Sequence, residues 1–251
     1  ANLAANLNRL DTALALYEYT IVRDPLHTAA HVNLGVAYLG VGRLDQAIGS
    51  LRTVLRLAPD FTPAHFLIGV ALLRKGEAQA ALTEIQKESE ETWRLLGLTM
   101  VYHTLGRHAD SDATLAELTK KYAADWPYNI AYVLAWRNER DRAFEWLDKA
   151  VTQQDPGLSA IVVEPLFANL HDDPRWLPFL RKIGKAPEQL AEAIRREATL
   201  HQVEVRLACR DGRNDGSAGN AADDLGNDVG HHIAVGNLAR GPESQRHSRI
   251  Q

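Results

Sequence analysis

The stretch "HVNLGVAYLGVGRLDQAIGSLRTVLRLAP" at residues 31–59 decides the fold, because its pattern returns 34 residues later in "HFLIGVALLRKGEAQAALTEI" at 65–85. Small residues keep their places in the two copies, so that Gly35 corresponds to Gly69. Within each copy the apolar residues are three and four apart, which predicts helices. A fixed period of roughly 20–50 residues is typical of supersecondary units that stack on one another.

The recurring glycines fall into two classes. Gly42 and Gly76 lie between apolar runs, where a residue that tolerates positive φ can end a helix. Gly35 and Gly69 lie within the predicted helices, although glycine there costs about 1 kcal/mol against alanine. A costly residue that is kept in both copies predicts close contact between helices, where a larger side chain would not fit.

The period resembles that of the tetratricopeptide repeat (TPR), a helix–turn–helix unit of about 34 residues. Its pattern has an aromatic residue followed by Leu-Gly, Tyr, Ala, Phe and Pro, and here His takes the aromatic position. A half-unit leads the series and two looser copies end it, one with Ser in place of Ala. The matching residues are Ala13, Tyr17 and Pro25; His31, Leu34, Gly35, Tyr38, Ala47, Leu51 and Pro59; His65, Ile68, Gly69, Leu72, Ala81 and Ile85; Leu95, Leu98, Tyr102, Gly106, Ser111 and Leu115; and Ile130, Ala131, Leu134, Ala143, Leu147 and Pro156.

This resemblance implies an all-α fold, a right-handed TPR-type α-solenoid of antiparallel helix pairs. The array should cover residues 1–156. We expect a leading half-unit at 1–27 and full units at about 28–61, 62–91, 92–123 and 124–156.

The sequence after the array is not another repeat. Residues 157–184 should form a helical cap, because a solenoid needs its last face covered and Asp173-Pro174 is typical of a helix start. Residues 185–207 could form a polar helix. Residues 208–251 are rich in Gly, Asn, Asp and Arg without aromatic residues, which predicts a disordered tail or a frameshift product.

Composition disfavours several functions. The net charge of −4 gives no basic surface for nucleic acid, and no apolar run reaches the roughly 18 residues of a membrane span. The single cysteine, Cys209, fits a reducing, cytoplasmic compartment. No phosphate loop, nucleophile elbow or zinc-binding helix occurs in the sequence. We therefore expect no catalysis, no cofactor and no metal.

The resemblance also predicts a peptide groove, because the first helix of each TPR pair lines the concave face. The expected groove residues are mainly apolar and aromatic, which suits an amphipathic helix or an extended apolar segment. They lack the Lys and Asn with which some TPR modules hold acidic chaperone tails. The groove residues are Val32, Val36, Phe66, Val70, Leu73, Trp93, Leu96, Met100, His103, Tyr128, Tyr132 and Trp136.

Two other interpretations of these residues remain open. The groove side chains could pack on one another, or on an adjacent domain of the same protein. His31 and His65 are one period apart, and packing in the aromatic position explains them better than a metal site does.

The motifs "RAFEWLDKA", "DPGL", "PLFANL" and "DPRW" between residues 142 and 176 resemble the C-terminal TPR region of bacterial multidomain regulators. In such proteins the repeats follow a class III nucleotide cyclase, winged-helix or kinase domain. The chain does not begin with Met, so we expect part of the protein to precede Ala1. The predicted function is a protein-interaction scaffold at the regulatory or sensor end of a signalling protein. The alternatives are the regulatory end of a class III cyclase and a stand-alone adaptor.

Overall fold

The computed structural model describes residues 10–196 and Thr199, and these residues form helices and turns without a strand. The α-helices follow one another along the chain with short connections. Their bounds are α1 Leu10–Arg23, α2 Thr28–Gly40, α3 Leu44–Leu57, α4 Ala64–Arg74, α5 Ala78–Ile85, α6 Glu91–Thr104, α7 His108–Tyr122, α8 Pro127–Trp136, α9 Arg140–Thr152 and α10 Trp176–Lys182.

Helices α2 to α9 form four pairs, α2–α3, α4–α5, α6–α7 and α8–α9, and the two helices of each pair pack on each other. The first helices of successive pairs also pack together, α2 on α4, α4 on α6 and α6 on α8. Stacked helix pairs of this kind bury one continuous core. The predicted all-α, TPR-type solenoid is confirmed. We call the surface formed by the first helices of the pairs the inner face.

The turns inside the pairs share one backbone conformation. Gly42, Gly76 and Gly106 have φ of 76°, 81° and 72°, in the left-handed region that glycine enters without strain. In the fourth pair Asn138 takes the same position with φ of 61°. Asparagine is one of the few other residues that tolerate this region, so the looser copy keeps the turn.

The glycines within helices are points of close contact. A Cβ on Gly69 would lie 2.3 Å from Ile85 Cγ1, and one on Gly35 would lie 2.8 Å from Leu51 Cγ. Gly97 approaches Ile85 in the same way, at 2.7 Å from Cγ2. Ile85 is therefore held between the backbones of α4 and α6.

The residues after α9 lie in two places. Residues 155–170, which we call the crossing segment, contain the 3-10 helices Pro156–Ala160 and Pro165–Leu170 and pack on α8. Helix α10 contacts α9, where the Phe144 and Phe179 rings lie 6.3 Å apart and Lys182 pairs with Asp148 at 2.8 Å. The predicted cap at 157–184 thus contains one part on α9 and another on the inner face.

Some sequence predictions concern residues beyond this description. Residues 187–196 are helical, within the predicted polar helix at 185–207. The predicted disordered tail at 208–251 and residues 1–9 of the leading half-unit lie outside the described residues. No helix in the described part is long and apolar enough to cross a bilayer.

Candidate functional site

The inner face contains a cavity of about 190 Å³ between the helix pairs and the crossing segment. Helices α1, α2, α4, α6 and α8 supply one wall, and residues of the crossing segment supply the other. Six of the predicted groove residues line this cavity: Val36, Phe66, Val70, Trp93, Tyr128 and Tyr132.

The other predicted groove residues lie elsewhere. Val32 packs with Val54 in a small separate cluster. Three more, Leu73, Leu96 and Met100, are buried in the main core. The last two, His103 and Trp136, are half-buried, and the Trp136 indole donates to Thr104 Oγ1 at 3.0 Å. Six of the twelve predicted groove residues therefore share one cavity wall. The other six lie in the core or are half-buried outside the cavity.

The beginning of the crossing segment is attached to α8. The Asp155 carboxylate accepts hydrogen bonds from the Tyr128 backbone N–H at 3.3 Å and from the Gly157 N–H at 2.8 Å. Gly157 lies against the Tyr128 ring so closely that a Cβ would be 2.4 Å from Cδ1. Only glycine fits here without movement of the ring.

The second half of the crossing segment adds a large aromatic contact. Phe167 is fully buried, with its ring centroid 5.4 Å from that of Tyr128 and 6.3 Å from that of Tyr132. Asn169 Nδ2 donates to the backbone oxygen of Ala135 at 3.0 Å. The segment therefore covers both predicted groove tyrosines.

The segment also reaches the opposite end of the inner face. A Cβ on Gly40, the last residue of α2, would lie 3.4 Å from the Val163 carbonyl oxygen and 3.5 Å from Leu10. Because Tyr128 belongs to the fourth pair and Gly40 to the first, the crossing segment spans the whole set of helix pairs.

Other aromatic rings continue the cavity wall. Phe66 and Trp93 have centroids 5.1 Å apart, and Trp93 meets Trp126 edge-on at 4.8 Å. Trp126 and Tyr17 also line the cavity, although sequence reasoning missed them. Trp126 lies just before Pro127, the start of α8, so its position outside the helix period hid it.

Three polar atoms in the cavity wall lack a hydrogen-bond partner among the described residues. They are Asn33 Oδ1, Tyr128 Oη and Ser159 Oγ. Tyr128 is only 4% exposed, so its hydroxyl cannot turn to bulk water. A buried polar group without a partner costs about 1–3 kcal/mol. An occupant that bonded to these atoms would remove that cost.

The cavity wall is acidic. It includes Asp125, Asp155 and Glu164, and of the described residues that line it none is Lys, Arg or His. Burial raises the pKa of Glu164 to about 7, although the Leu166 N–H donates to Oε1 at 3.1 Å and Arg74 attracts the carboxylate. A carboxyl group with this pKa changes charge near neutral pH.

The paired histidines lie apart from the cavity. The His31 ring bonds to the Pro25 carbonyl oxygen at 2.9 Å, and His65 Nδ1 contacts Glu84 Oε1 at 2.7 Å. Across residues 10–196 and Thr199, no three His, Cys, Asp or Glu side chains are placed to hold a metal ion together.

Comparison with known families identifies the repeat. A tetratricopeptide repeat model matches residues 1–60 and, in a second register, 37–93. The two matches together span residues 1–93. The same packing of helix pairs continues through α9, so the TPR-type solenoid extends beyond the matched residues. Among curated protein sequences, none matches the chain significantly.

Three solved structures are similar. A crystal structure of MamA is 21% identical and covers 60% of this chain and 92% of its own, with a TM-score of 0.42. A second MamA structure is 20% identical, covering 62% and 89%, with a TM-score of 0.43. YrrB, described as a TPR protein with an unusual peptide-binding site, is 24% identical, covering 64% and 86%, with a TM-score of 0.41.

Proposed function

We propose that this chain is a non-catalytic protein-interaction scaffold whose inner face binds a segment of another polypeptide. One observation carries the proposal: this face already holds sixteen residues of polypeptide, 155–170, by aromatic contacts and by hydrogen bonds to the main chain. The TPR repeats favour the same function, because such modules commonly bind peptides in their concave faces. The twelve groove residues remain a prediction, and the six of them that line the cavity form the surface that we propose for the partner.

A partner would reach the groove by exchange with the crossing segment. Phe167 covers Tyr128 and Tyr132, so a partner that used these rings would have to displace it. Aromatic side chains at the centre of an interface can each contribute about 2 kcal/mol or more when desolvated. The partner would therefore present an apolar or aromatic side chain in place of Phe167.

We further propose a cellular context from the motif resemblance at residues 142–176. The module would be the C-terminal regulatory or sensor part of a larger cytoplasmic signalling protein in a bacterium, and an upstream domain would be its partner. The alternative is that it ends a class III nucleotide cyclase. The reading frame upstream of Ala1 separates these possibilities, since it would encode a cyclase domain, another effector or neither.

Peptide display tests the groove directly. A random peptide library selected on the full chain should yield binders that fail on Val36→Glu, because Val36 is a cavity-lining groove residue that remains 38% exposed. Val41→Glu is the matched control, since Val41 is 36% exposed and does not line the cavity. Failure to enrich any binder, or equal binding by both variants, would contradict the proposal.

A further inference from the structure

We propose that the cavity between the inner face and the crossing segment binds a small organic cation, an ammonium group carried on an apolar body. The inference goes beyond the scaffold function, because it requires no protein partner. It rests on the size of the cavity, its rings, its unpartnered acceptors and its charge.

The size of the cavity sets the size of the ligand. Its volume is about 190 Å³. An apolar protein cavity of about 150 Å³ is enough to hold benzene. A ligand slightly larger than benzene, such as a phenylalkylamine or a branched alkylamine, matches this space.

Aromatic rings form much of the wall. Trp93 contacts both Phe66 and Trp126, and Tyr17 and Tyr132 add two more rings to the lining. Such walls favour an apolar body by burial of its surface. They also favour a cation, because the face of an aromatic ring is electron-rich.

The unpartnered atoms favour a donor. The amide oxygen of Asn33 can only accept a hydrogen bond, and the hydroxyls of Tyr128 and Ser159 can accept as well. An ammonium group has three N–H donors and no acceptor. It can therefore donate to an atom of this set without bringing an acceptor of its own that would need a partner.

The charge of the wall selects between ions. Glu164, Asp125 and Asp155 all belong to the lining, which attracts a cation and repels an anion. Arg74 attracts the Glu164 carboxylate, and its guanidinium donates to the Leu39 carbonyl oxygen. The proposed counter-charge for the ligand is the ionised Glu164 carboxylate.

The same chemistry could come from two sources. The ammonium could belong to a free amine, or it could be the lysine side chain of a bound polypeptide. Both present an ammonium on an apolar stem, so the residues that recognise them are the same.

Calorimetric titration of the full chain tests the proposal with three ligands of one shape: 2-phenylethylamine, 2-phenylethanol and phenylacetate. The amine should bind at least about tenfold more tightly than the alcohol, since a hydrogen bond to a charged group is worth about 1.5–3 kcal/mol. Phenylacetate should not bind. Quenching of the tryptophan fluorescence, to which Trp93 and Trp126 contribute, should follow the same titration.

A matched pair of variants assigns the binding to the cavity. Glu164→Gln should weaken the binding of the amine about tenfold or more and leave the affinity for the alcohol unchanged. Glu145→Gln, on the exposed side of α9, should change neither.

The pH dependence provides a second readout. The amine stays protonated between pH 6 and 8, so its affinity should rise with the ionisation of Glu164 across this range. Arg74, Tyr128 and Tyr132 interact electrostatically with Glu164, and Asp125 and Asp155 belong to the same lining. The rise should vanish in Glu164→Gln, which separates Glu164 from these five groups.

Two further probes show whether the ammonium group comes from a free amine or from a lysine side chain. Butylamine and acetyl-Gly-Lys-Gly-amide carry the same ammonium, free in one and attached to a peptide in the other. Binding by either supports an ammonium site. The proposal is overturned if neither these nor 2-phenylethylamine binds, if the alcohol binds as tightly as the amine, or if both Glu variants behave alike. Amine binding with no peptide enriched by display would retain this site and reject the scaffold function.

Discussion

The helix pairs and the crossing segment each contain a glycine at a point of close contact, yet they use it differently. Gly69 lies inside α4, with the position of a Cβ only 2.3 Å from Ile85 Cγ1. Gly157 lies in an irregular turn, with the position of a Cβ 2.4 Å from the Tyr128 ring. The first contact recurs with the period of the array, whereas the second occurs once. Periodic contacts build the solenoid, and single contacts attach the segment across it.

The same contrast holds for polar contacts. In the array, Ser111 Oγ donates to the Thr99 carbonyl oxygen at 2.7 Å and accepts from Arg137. Arg137, whose side chain is 8% exposed, also pairs with Asp112 and Glu139, which links the third and fourth pairs. The crossing segment is attached in part by single hydrogen bonds to backbone groups, such as that from Asn169 Nδ2 to the Ala135 oxygen. We expect it to be easier to detach than a helix pair is to unfold.

The largest effect should come from removal of the main ring of the crossing segment. Phe167→Ala should lower the free energy of unfolding by about 3–5 kcal/mol, or by less if the segment detaches before the array melts. Chemical denaturation measures the loss. The exposed Leu177→Ala is the control and should change little. An unchanged stability for Phe167→Ala would mean that the crossing segment contributes nothing to the fold.

A smaller loss should follow from filling a periodic contact. Gly69→Ala should cost about 1–3 kcal/mol through overpacking against Ile85, despite the better helix propensity of alanine. Gly49→Ala is the matched control in α3, where a Cβ would meet nothing within 4 Å. That variant should be stabilised by up to about 1 kcal/mol. If both substitutions were stabilising, Gly69 would not be a contact point.

Glu164 should make the free energy of unfolding depend on pH, and we expect this effect to be smaller than those of the two preceding substitutions. Its folded pKa is about 7, above the unfolded value of roughly 4.3. The folded state therefore holds this proton more tightly, and the stabilisation is complete below about pH 4.3 and lost as pH rises to 7. The difference in unfolding free energy between the parent and Glu164→Gln should fall by roughly 1–2 kcal/mol from pH 6 to pH 8.

Asp173 and Asp112 act in the opposite direction, because Arg175 and Arg137 lower the pKa values of their carboxyl groups. These groups remain in Glu164→Gln, so the difference between the two proteins isolates Glu164. A difference that is constant with pH would show that Glu164 is not buried.

The sequence predicted the array because its contacts repeat. The 34-residue period fixed the helix pairs, and Gly69 marked a helix contact before the position of Ile85 was known. Gly97 was missed, since it approaches Ile85 from a neighbouring helix at a position that the repeat does not keep. Ser111 departs from the alanine of the repeat, and its bonds to Thr99 and Arg137 supply the reason.

The cavity was only half predictable. Tyr128 and Tyr132 follow from the helix period, because they occupy inner positions of α8. Glu164 and Ser159 could not be found in this way, since they belong to 3-10 turns and connections that have no period. Their position depends on the path of the crossing segment, which is set by single contacts such as Gly157 on Tyr128.

Hydrogen exchange on the full chain, with and without a peptide selected on its inner face, tests the central claim most directly. The Gly157 and Leu166 amides report on the crossing segment, because they donate to Asp155 and Glu164. If the partner exchanges with this segment, both amides should exchange faster when the peptide binds, while the amides of α3 keep their protection. Peptide binding that left the Gly157 and Leu166 amides unchanged would contradict a groove shared by partner and segment.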